Sequence, residues 1–183
     1  CSMAELIIGG ARSGKSALAE KRALESGLRV VYVATAQAGD AEMARRIAHH
    51  RTRRPAAWGC VEAPLALATA LQVHAAADAC LIVDCLTLWL TNLFFAGRAA
   101  AQAEAGEPFD CALLADETVA LLDALPRLPG RILLVSNEVG CGIVPMQPLS
   151  RRFADEQGRL NQRVAAACAR VTLVAAGLPL ELK

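Results

Sequence analysis

The sequence carries almost no excess of charge: 19 Lys and Arg against 18 Asp and Glu leave +1 at pH 7. No global field favours nucleic acid or an anionic membrane, so any basic function has to come from a local cluster. Paired cysteines are missing too. The seven present, Cys1, Cys60, Cys80, Cys85, Cys111, Cys141 and Cys168, include no C-x-x-C or other zinc-like spacing, which argues against a zinc module. An odd count with no secretory leader is the pattern of reduced thiols in a cytoplasm. Several of them sit in apolar runs, where Cys acts as a small hydrophobe. There is no long uninterrupted apolar run: the stretch 80–96 is broken by Asp84, Thr87, Thr91 and Asn92, so no membrane span is expected. No internal repeat and no second domain are visible, and N-K-x-D is absent, which disfavours a Ras-like GTPase.

What is there suits one sizeable core. The chain has 183 residues, 55% apolar and 20% charged, which is globular in composition. A single domain over residues 3–183 is expected, with Cys1-Ser2 before Met3 reading as an expression scar. Leu6-Ile7-Ile8, Val30-Val31-Tyr32-Val33, Leu81-Ile82-Val83, Ile132-Leu133-Leu134-Val135 and Val171-Thr172-Leu173-Val174 are short apolar runs. They are continuous rather than alternating, as in strands buried on both faces. Helical patterns fill 15–26, 41–50, 64–76, 87–97, 110–125 and 148–170, while 97–108 reads as a surface excursion. This alternation predicts an α/β fold, a doubly wound, mostly parallel sheet flanked by helices. Ligands of such sheets bind at the carboxyl ends of the strands. Asp84 and Asn137-Glu138, which end two of these runs, are placed to meet one.

Gly9-Gly10-Ala11-Arg12-Ser13-Gly14-Lys15-Ser16 matches G-x-x-x-x-G-K-[ST] in full, after a strand and before a helix. It predicts P-loop NTPase architecture of the RecA-like kind. The glycines let successive N–H groups point at one anion, and the helix adds its positive end. Lys15 would reach the β- and γ-phosphates, and Ser16 would ligate Mg²⁺. A second ligand is needed. Asp84 closes the apolar run Cys80-Leu81-Ile82-Val83 in the manner of a Walker B strand; the alternative is that Asp84 caps the next helix.

Arg45-Arg46-Ile47-Ala48-His49-His50-Arg51-Thr52-Arg53-Arg54 is the local basic cluster. Asp40 is the expected N-cap, Met43 and Ile47 form an i, i+4 pair expected to face the core, and Pro55 stops the helix. His50 then falls near a helix end. Arginines can hold phosphates and a leaving pyrophosphate, and nearby cations keep His neutral and nucleophilic. A neutral His attacking an α-phosphate gives a phosphoramidate. The competing reading is a solvated basic face. His74 reads as structural. Further on, Arg152, Asp155, Arg159, Asn161, Gln162 and Arg163 read as a polar helix face.

These residues, with Ala34-Thr35-Ala36-Gln37, Thr91-Asn92-Leu93, Asn137-Glu138-Val139-Gly140 and Asn161-Gln162-Arg163, resemble the bifunctional adenosylcobinamide kinase/adenosylcobinamide-phosphate guanylyltransferase family of cobalamin biosynthesis. The likeness runs nearly end to end, and the ordered set is specific where the P-loop alone is generic. The resemblance implies that an NTP, ATP or GTP, phosphorylates adenosylcobinamide. It further implies that His50 accepts GMP from GTP and passes it to the cobinamide phosphate. By the same likeness Thr35, Ala36, Gln37, Arg51, Thr52, Arg53, Arg54, Glu62 and Asp84 line the nucleotide site beside the P-loop. Some relatives carry Glu where this chain has Asp84, whose shorter carboxylate reaches Mg²⁺ directly or through water. The family implies a homotrimer, with no nucleic acid partner. Two other classes remain open at this point: a P-loop small-molecule kinase without a His intermediate, and a nucleotide-gated binding module.

Overall fold

The apolar runs become the inner strands of one sheet. A computed structural model describes residues 3–37, 39 and 41–183. The strands are β1 (Met3–Gly9), β2 (Arg29–Ala34), β3 (Gly59–Glu62), β4 (Ala79–Asp84), β5 (Arg131–Asn137), β6 (Arg170–Ala175) and β7 (Leu178–Glu181). The helices are α1 (Lys15–Glu25), α2 (Ala41–Thr52), α3 (Leu67–His74), α4 (Leu86–Ala96), α5 (Ala99–Ala105), α6 (Ala112–Ala124) and α7 (Pro148–Ala167). The sheet order is β3-β2-β4-β5-β1-β6-β7. All neighbours pair in parallel except β6 and β7.

Both faces of the sheet are covered, as continuous apolar strands require. Leu6, Val33, Leu81, Val83, Ile132 and Leu134 pack towards Trp89, Leu93, Leu121 and Leu160 of α4, α6 and α7. The alternate residues Ile7, Val30, Tyr32, Ile82, Leu133 and Val135 pack with Ala19 and Ala23 of α1. Trp89 and Phe94 are among the largest fully buried side chains, each worth about 2–3 kcal/mol in removed apolar surface. Cys80, Cys85, Cys111 and Cys168 are buried free thiols, as the apolar runs predict.

The five predicted strands and six predicted helices are all present, with ends shifted by a few residues. Three elements were not expected. β3 is a short edge strand with no apolar run, and β7 is fully exposed and contains Pro179. The stretch 97–108, expected to be a surface excursion, holds α5. Its Ala99, Ala100, Gln102 and Ala103 are buried. Alanines favour helix and pack closely, and Gln102 pairs through its amide with both backbone groups of Asp110 at 2.8 and 3.0 Å. Among the described residues, no helix is long and apolar enough to cross a membrane.

β5 lies between β1 and β4. Gly9 aligns with Asn137, and Asp84 with Val135. The phosphate loop, the exit of β5 and Asp84 therefore leave the sheet side by side at its carboxyl edge.

Candidate active site

The loop after β1 is shaped for an anion. Arg12 (φ 54°) and Gly14 (φ 96°) take left-handed conformations that turn the chain into α1. A β-carbon on Gly9 would lie 2.5 Å from Ser13 Oγ and 2.6 Å from the Val174 carbonyl oxygen, so only glycine fits there. The loop is braced from outside. Glu138 N donates to Gly9 O at 2.9 Å, and Gly177 N donates to Ser13 O at 2.8 Å. Inside it, Ser13 Oγ is buried without a hydrogen-bond partner among the described residues, a polar atom that a bound phosphate oxygen would satisfy. Lys15, only 9% exposed, reaches back across the loop and donates to Gly10 O at 3.0 Å. Burial lowers its pKa, while Cys85 and Asp84 act in the opposite direction. The ammonium is thus within electrostatic reach of the end of β4. Ala11 and Arg12 are exposed, and Gly10, Gly14 and Ser16 are half-buried.

Asp84 does not cap α4. Cys85 does, its Sγ accepting from Leu88 N at 3.5 Å. Burial and then Asp84 push the Cys85 thiol up to about 11, which keeps it protonated and inert. The Asp84 carboxylate instead accepts a hydrogen bond on Oδ2 from the Tyr32 hydroxyl. Tyr32 is 4% exposed. Burial, then Asp84, raise its pKa, so the phenol stays a donor. The Arg54 guanidinium stacks on the Tyr32 ring, 3.2 Å from its centroid. It also lies 4.0 Å from Glu20 Oε1. Thr35 is fully buried and fixes the turn after β4: its hydroxyl donates to Cys85 O (2.7 Å) and accepts from Cys85 N (2.9 Å). Asn92 Nδ2 donates to Thr35 O at 2.7 Å. Thr35 therefore fixes the turn that follows Asp84.

A cavity of about 280 Å³ opens between Tyr32, Asp84, Glu62, Arg51, Arg54 and Asn137. Met43 and Ile47, expected to face the core, are half-buried and line this cavity instead. The reason is that α2 stands at the rim of the sheet: among the described residues it adds none to either core cluster. A second cavity of about 440 Å³, bordered by Ala36, Gln37, Ala48 and Pro64, shares Arg51 and Glu62 with the first. Thr52 and Arg53 are exposed, and the Thr52 hydroxyl donates to His49 O at 2.9 Å, closing the end of α2. Asp40 and the side chain of His50 lie outside the described residues.

Sequence reasoning missed two participants. Tyr32 reads as one more apolar strand residue; only its cross-strand register, with Ala34 beside Asp84, reveals what its hydroxyl can reach. Asn137 reads as a strand end, but nothing near it in the sequence shows how it is anchored. Its N–H donates to Thr87 Oγ1 (2.9 Å), and its carbonyl accepts from Asn161 Nδ2 (3.2 Å). Ser136 Oγ donates to Asn161 Oδ1 at 2.7 Å, and Gln157 Nε2 donates to both of those oxygens at 3.1 Å. Asn161, expected on a polar helix face, is therefore buried against the sheet end. A helical pattern shows which positions are polar, not which polar groups have partners inside.

Among the described residues no group of three or more His, Cys, Asp or Glu converges as a metal cluster. A Mg²⁺ here would rest on Ser16, Asp84 and phosphate oxygens, as Mg²⁺ in nucleotide sites commonly does.

The family model described as cobinamide kinase / cobinamide phosphate guanyltransferase, CobU, matches residues 5–182. The chain is 58% identical over 181 residues to the bifunctional adenosylcobalamin biosynthesis protein CobP of Pseudomonas aeruginosa, covering 99% of this chain and 98% of that protein. It is 42% identical over 182 residues to the bifunctional adenosylcobalamin biosynthesis protein CobU of Salmonella typhimurium, covering 97% of this chain and 98% of that protein. Among solved structures it resembles a prototypical ATPase from the type III secretion system of pathogenic bacteria. That match has a TM-score of 0.57 at 13% identity and covers 98% of this chain and 56% of that one. The assembled ATPase EscN of enteropathogenic E. coli also gives 0.57, at 16% identity, with 96% of this chain and 43% of that one covered. These two likenesses establish the P-loop NTPase fold alone. The match along nearly the whole chain shows that it belongs to the cobinamide kinase / cobinamide phosphate guanyltransferase family.

Proposed function

We propose that this chain phosphorylates adenosylcobinamide with ATP or GTP and then transfers GMP from GTP to the product through His50. In the first reaction the aminopropanol hydroxyl gives up its proton to solvent as its oxygen bonds to the γ-phosphorus, the γ-phosphorus–oxygen bond to the β-phosphate breaks, and the nucleoside diphosphate leaves. In the second, a His50 ring nitrogen bonds to the α-phosphorus of GTP and pyrophosphate leaves. A phosphate oxygen of adenosylcobinamide phosphate then displaces His50, giving adenosylcobinamide-GDP. The observation that carries this reading is the meeting of three features at one sheet edge: the phosphate loop, Asp84, and the cationic end of the helix that bears His50.

The residues divide the work by chemistry. Backbone N–H groups of the P-loop and the Lys15 ammonium hold the phosphates and take up charge as the leaving group departs. Arg51 and Arg54 stand where a pyrophosphate could be gripped. Ser16 and Asp84 would hold Mg²⁺, which when bound shields the charge on the phosphates. Glu62, Gln37 and Ala36 border the remaining space. The reading further holds that the enzyme works in the cytoplasm as a homotrimer.

Labelled GTP tests it. α-Labelled GTP with Mg²⁺ should leave label on the protein that is acid-labile and base-stable, as a phosphoramidate is, and γ-labelled GTP should leave none by this route. His50→Ala should lose the label and guanylyl transfer while phosphorylation of adenosylcobinamide survives. Absence of any covalent label would return the chain to a kinase without a His intermediate. Label persisting in His50→Ala would move the nucleophile, with His49 the first suspect.

A further inference from the structure

β7 is exposed at all four residues and, among the described residues, adds none to either core cluster. The hairpin it forms with β6 nevertheless reaches the phosphate loop. Ala175 pairs with Leu178, leaving Ala176 (φ 52°) and Gly177 (φ 75°) as a two-residue turn in the left-handed region, the geometry that suits the twist of a hairpin. At its tip Gly177 N donates to Ser13 O at 2.8 Å. A β-carbon on Gly14 would come within 3.2 Å of Gly177 Cα, so turn and loop pack backbone on backbone.

A trans peptide points its C=O and its N–H in opposite directions. Holding the Ser13 carbonyl against the hairpin therefore aims the Gly14 N–H away from it. That N–H makes no hydrogen bond among the described residues, which leaves it for an anion. The hairpin is fixed at its other end as well. Glu181 accepts from Arg170 Nε at 3.1 Å and from Arg22 Nη2 at 3.4 Å. Arg22 lies in the last turn of α1, whose first residue is Lys15, and it also pairs with buried Glu5. The hairpin thus meets the phosphate loop at one end of α1 and the last turn of that helix at the other.

We propose that Gly177 is a positioning residue for the nucleotide: its N–H, presented by the left-handed turn, holds the Ser13–Gly14 peptide in the orientation that binds a phosphate. The proposal rests on the phosphate-loop reading above. Gly177 is exposed, and a β-carbon there would meet nothing within 4 Å, so a substitution changes backbone conformation and not packing. A β-branched residue resists positive φ, whereas Asn accepts it. A nucleotide-free chain carrying Gly177→Val escapes the strain by letting the turn shift. Binding has to restore the turn, so the cost falls on affinity.

Calorimetric titration with Mg²⁺ and α,β-methylene GTP, whose α–β bridge does not break, tests this below the unfolding transition of each variant, with thermal unfolding followed in parallel. Gly177→Val should raise the Kd about tenfold, and Gly177→Asn should bind as the wild type does. Gly177→Ala, a milder change in the same sense, should raise it about fivefold and decides the question if the valine variant does not fold. Wild-type affinity in the folded valine variant, or in the alanine variant standing in for it, overturns the proposal. So does a lowered unfolding temperature with an unchanged Kd, the mark of a turn that serves stability alone. Equal weakening by Val and Asn overturns it too, because the effect would then follow side-chain bulk. Lys15→Ala separates the two readings: if that variant is folded and binds the analogue with wild-type affinity, the phosphate-loop reading fails, and the hairpin proposal with it.

Discussion

Tyr32→Phe removes one oxygen from the floor of the site and leaves the ring in place. The ring is buried among Ala19, Ala23, Ile82 and Val135, so the substitution opens no cavity that packing must absorb. What is lost is the bond to Asp84 Oδ2. Hydrogen bonds to charged groups are worth about 1.5–3 kcal/mol, and water can reach half-buried Asp84, so the cost lies at the low end, about 1.5 kcal/mol. For a chain of this size that lowers Tm by about 4 °C. The larger effect should be functional. A carboxylate freed of the partner that orients it is a poorer metal ligand, and losing such a partner costs about tenfold or more in metal affinity. The Mg²⁺ concentration for half-maximal turnover should therefore rise about tenfold in Tyr32→Phe, while nucleotide binding in the absence of metal stays unchanged. The chain contains one tyrosine, so a single ring-carbon NMR signal from labelled tyrosine should shift when Mg²⁺ and nucleotide are added, and not in Asp84→Asn. An unaltered Mg²⁺ requirement in Tyr32→Phe, beside a raised one in Asp84→Asn, would refute the positioning argument.

Two further outcomes follow from the packing. Gly9→Ala would push a methyl group against Ser13 Oγ and the Val174 carbonyl. The hydroxyl can turn away but the backbone oxygen cannot, so urea denaturation should show a loss of about 1–3 kcal/mol together with weakened nucleotide binding; a wild-type midpoint would show that the loop relaxes freely. Cys168 has its thiol pushed by burial from 9.0 up to about 12. In the unfolded chain the thiol ionises at its ordinary value while the folded one does not, so this contribution to stability is whole below pH 9 and is lost as pH rises towards 12. The loss reaches about 4 kcal/mol at the upper end. Cys168→Ala should flatten that part of the alkaline slope, and an unchanged slope would count against the burial argument.

The parts of this molecule that sequence reveals are those encoded locally. The P-loop is eight consecutive residues whose backbone does the work, and the acid closing an apolar run marks the end of β4 wherever that strand lands. The parts that stayed hidden depend on neighbours distant in the chain. Nothing near Tyr32 announces that its hydroxyl meets a residue 52 positions away. Asn161 reads as part of a polar helix face because its partner, Ser136, belongs to β5. β3 and β7 are edge strands, where half-exposed residues carry no buried-strand signature. α5 was concealed by composition: alanine, glycine and glutamate suggest a loop until α4 and α7 are there to cover the alanines.

The position of β5 bears on how one loop can serve two transfers. A P-loop holds phosphates mainly through backbone N–H groups and one ammonium, and neither dictates which phosphorus is attacked. That choice has to come from the nucleophile's direction of approach. With β5 inserted between β1 and β4, the carboxyl edge is wide enough for Asn137 to stand between the loop and Asp84, leaving two sides open. On one side stands α2, bearing His50 and held over the cleft by the contact of Arg54 with Tyr32. On the other, past the exit of β5, is a depression of about 310 Å³ lined by Val139, Leu149 and Phe153. A histidine arriving from the first side and an alcohol or phosphate arriving from the second need not share a path, so under the proposed function both reactions can use the same grip on the nucleotide. Tyr32 serves both arrangements, its ring carrying Arg54 and its hydroxyl holding Asp84.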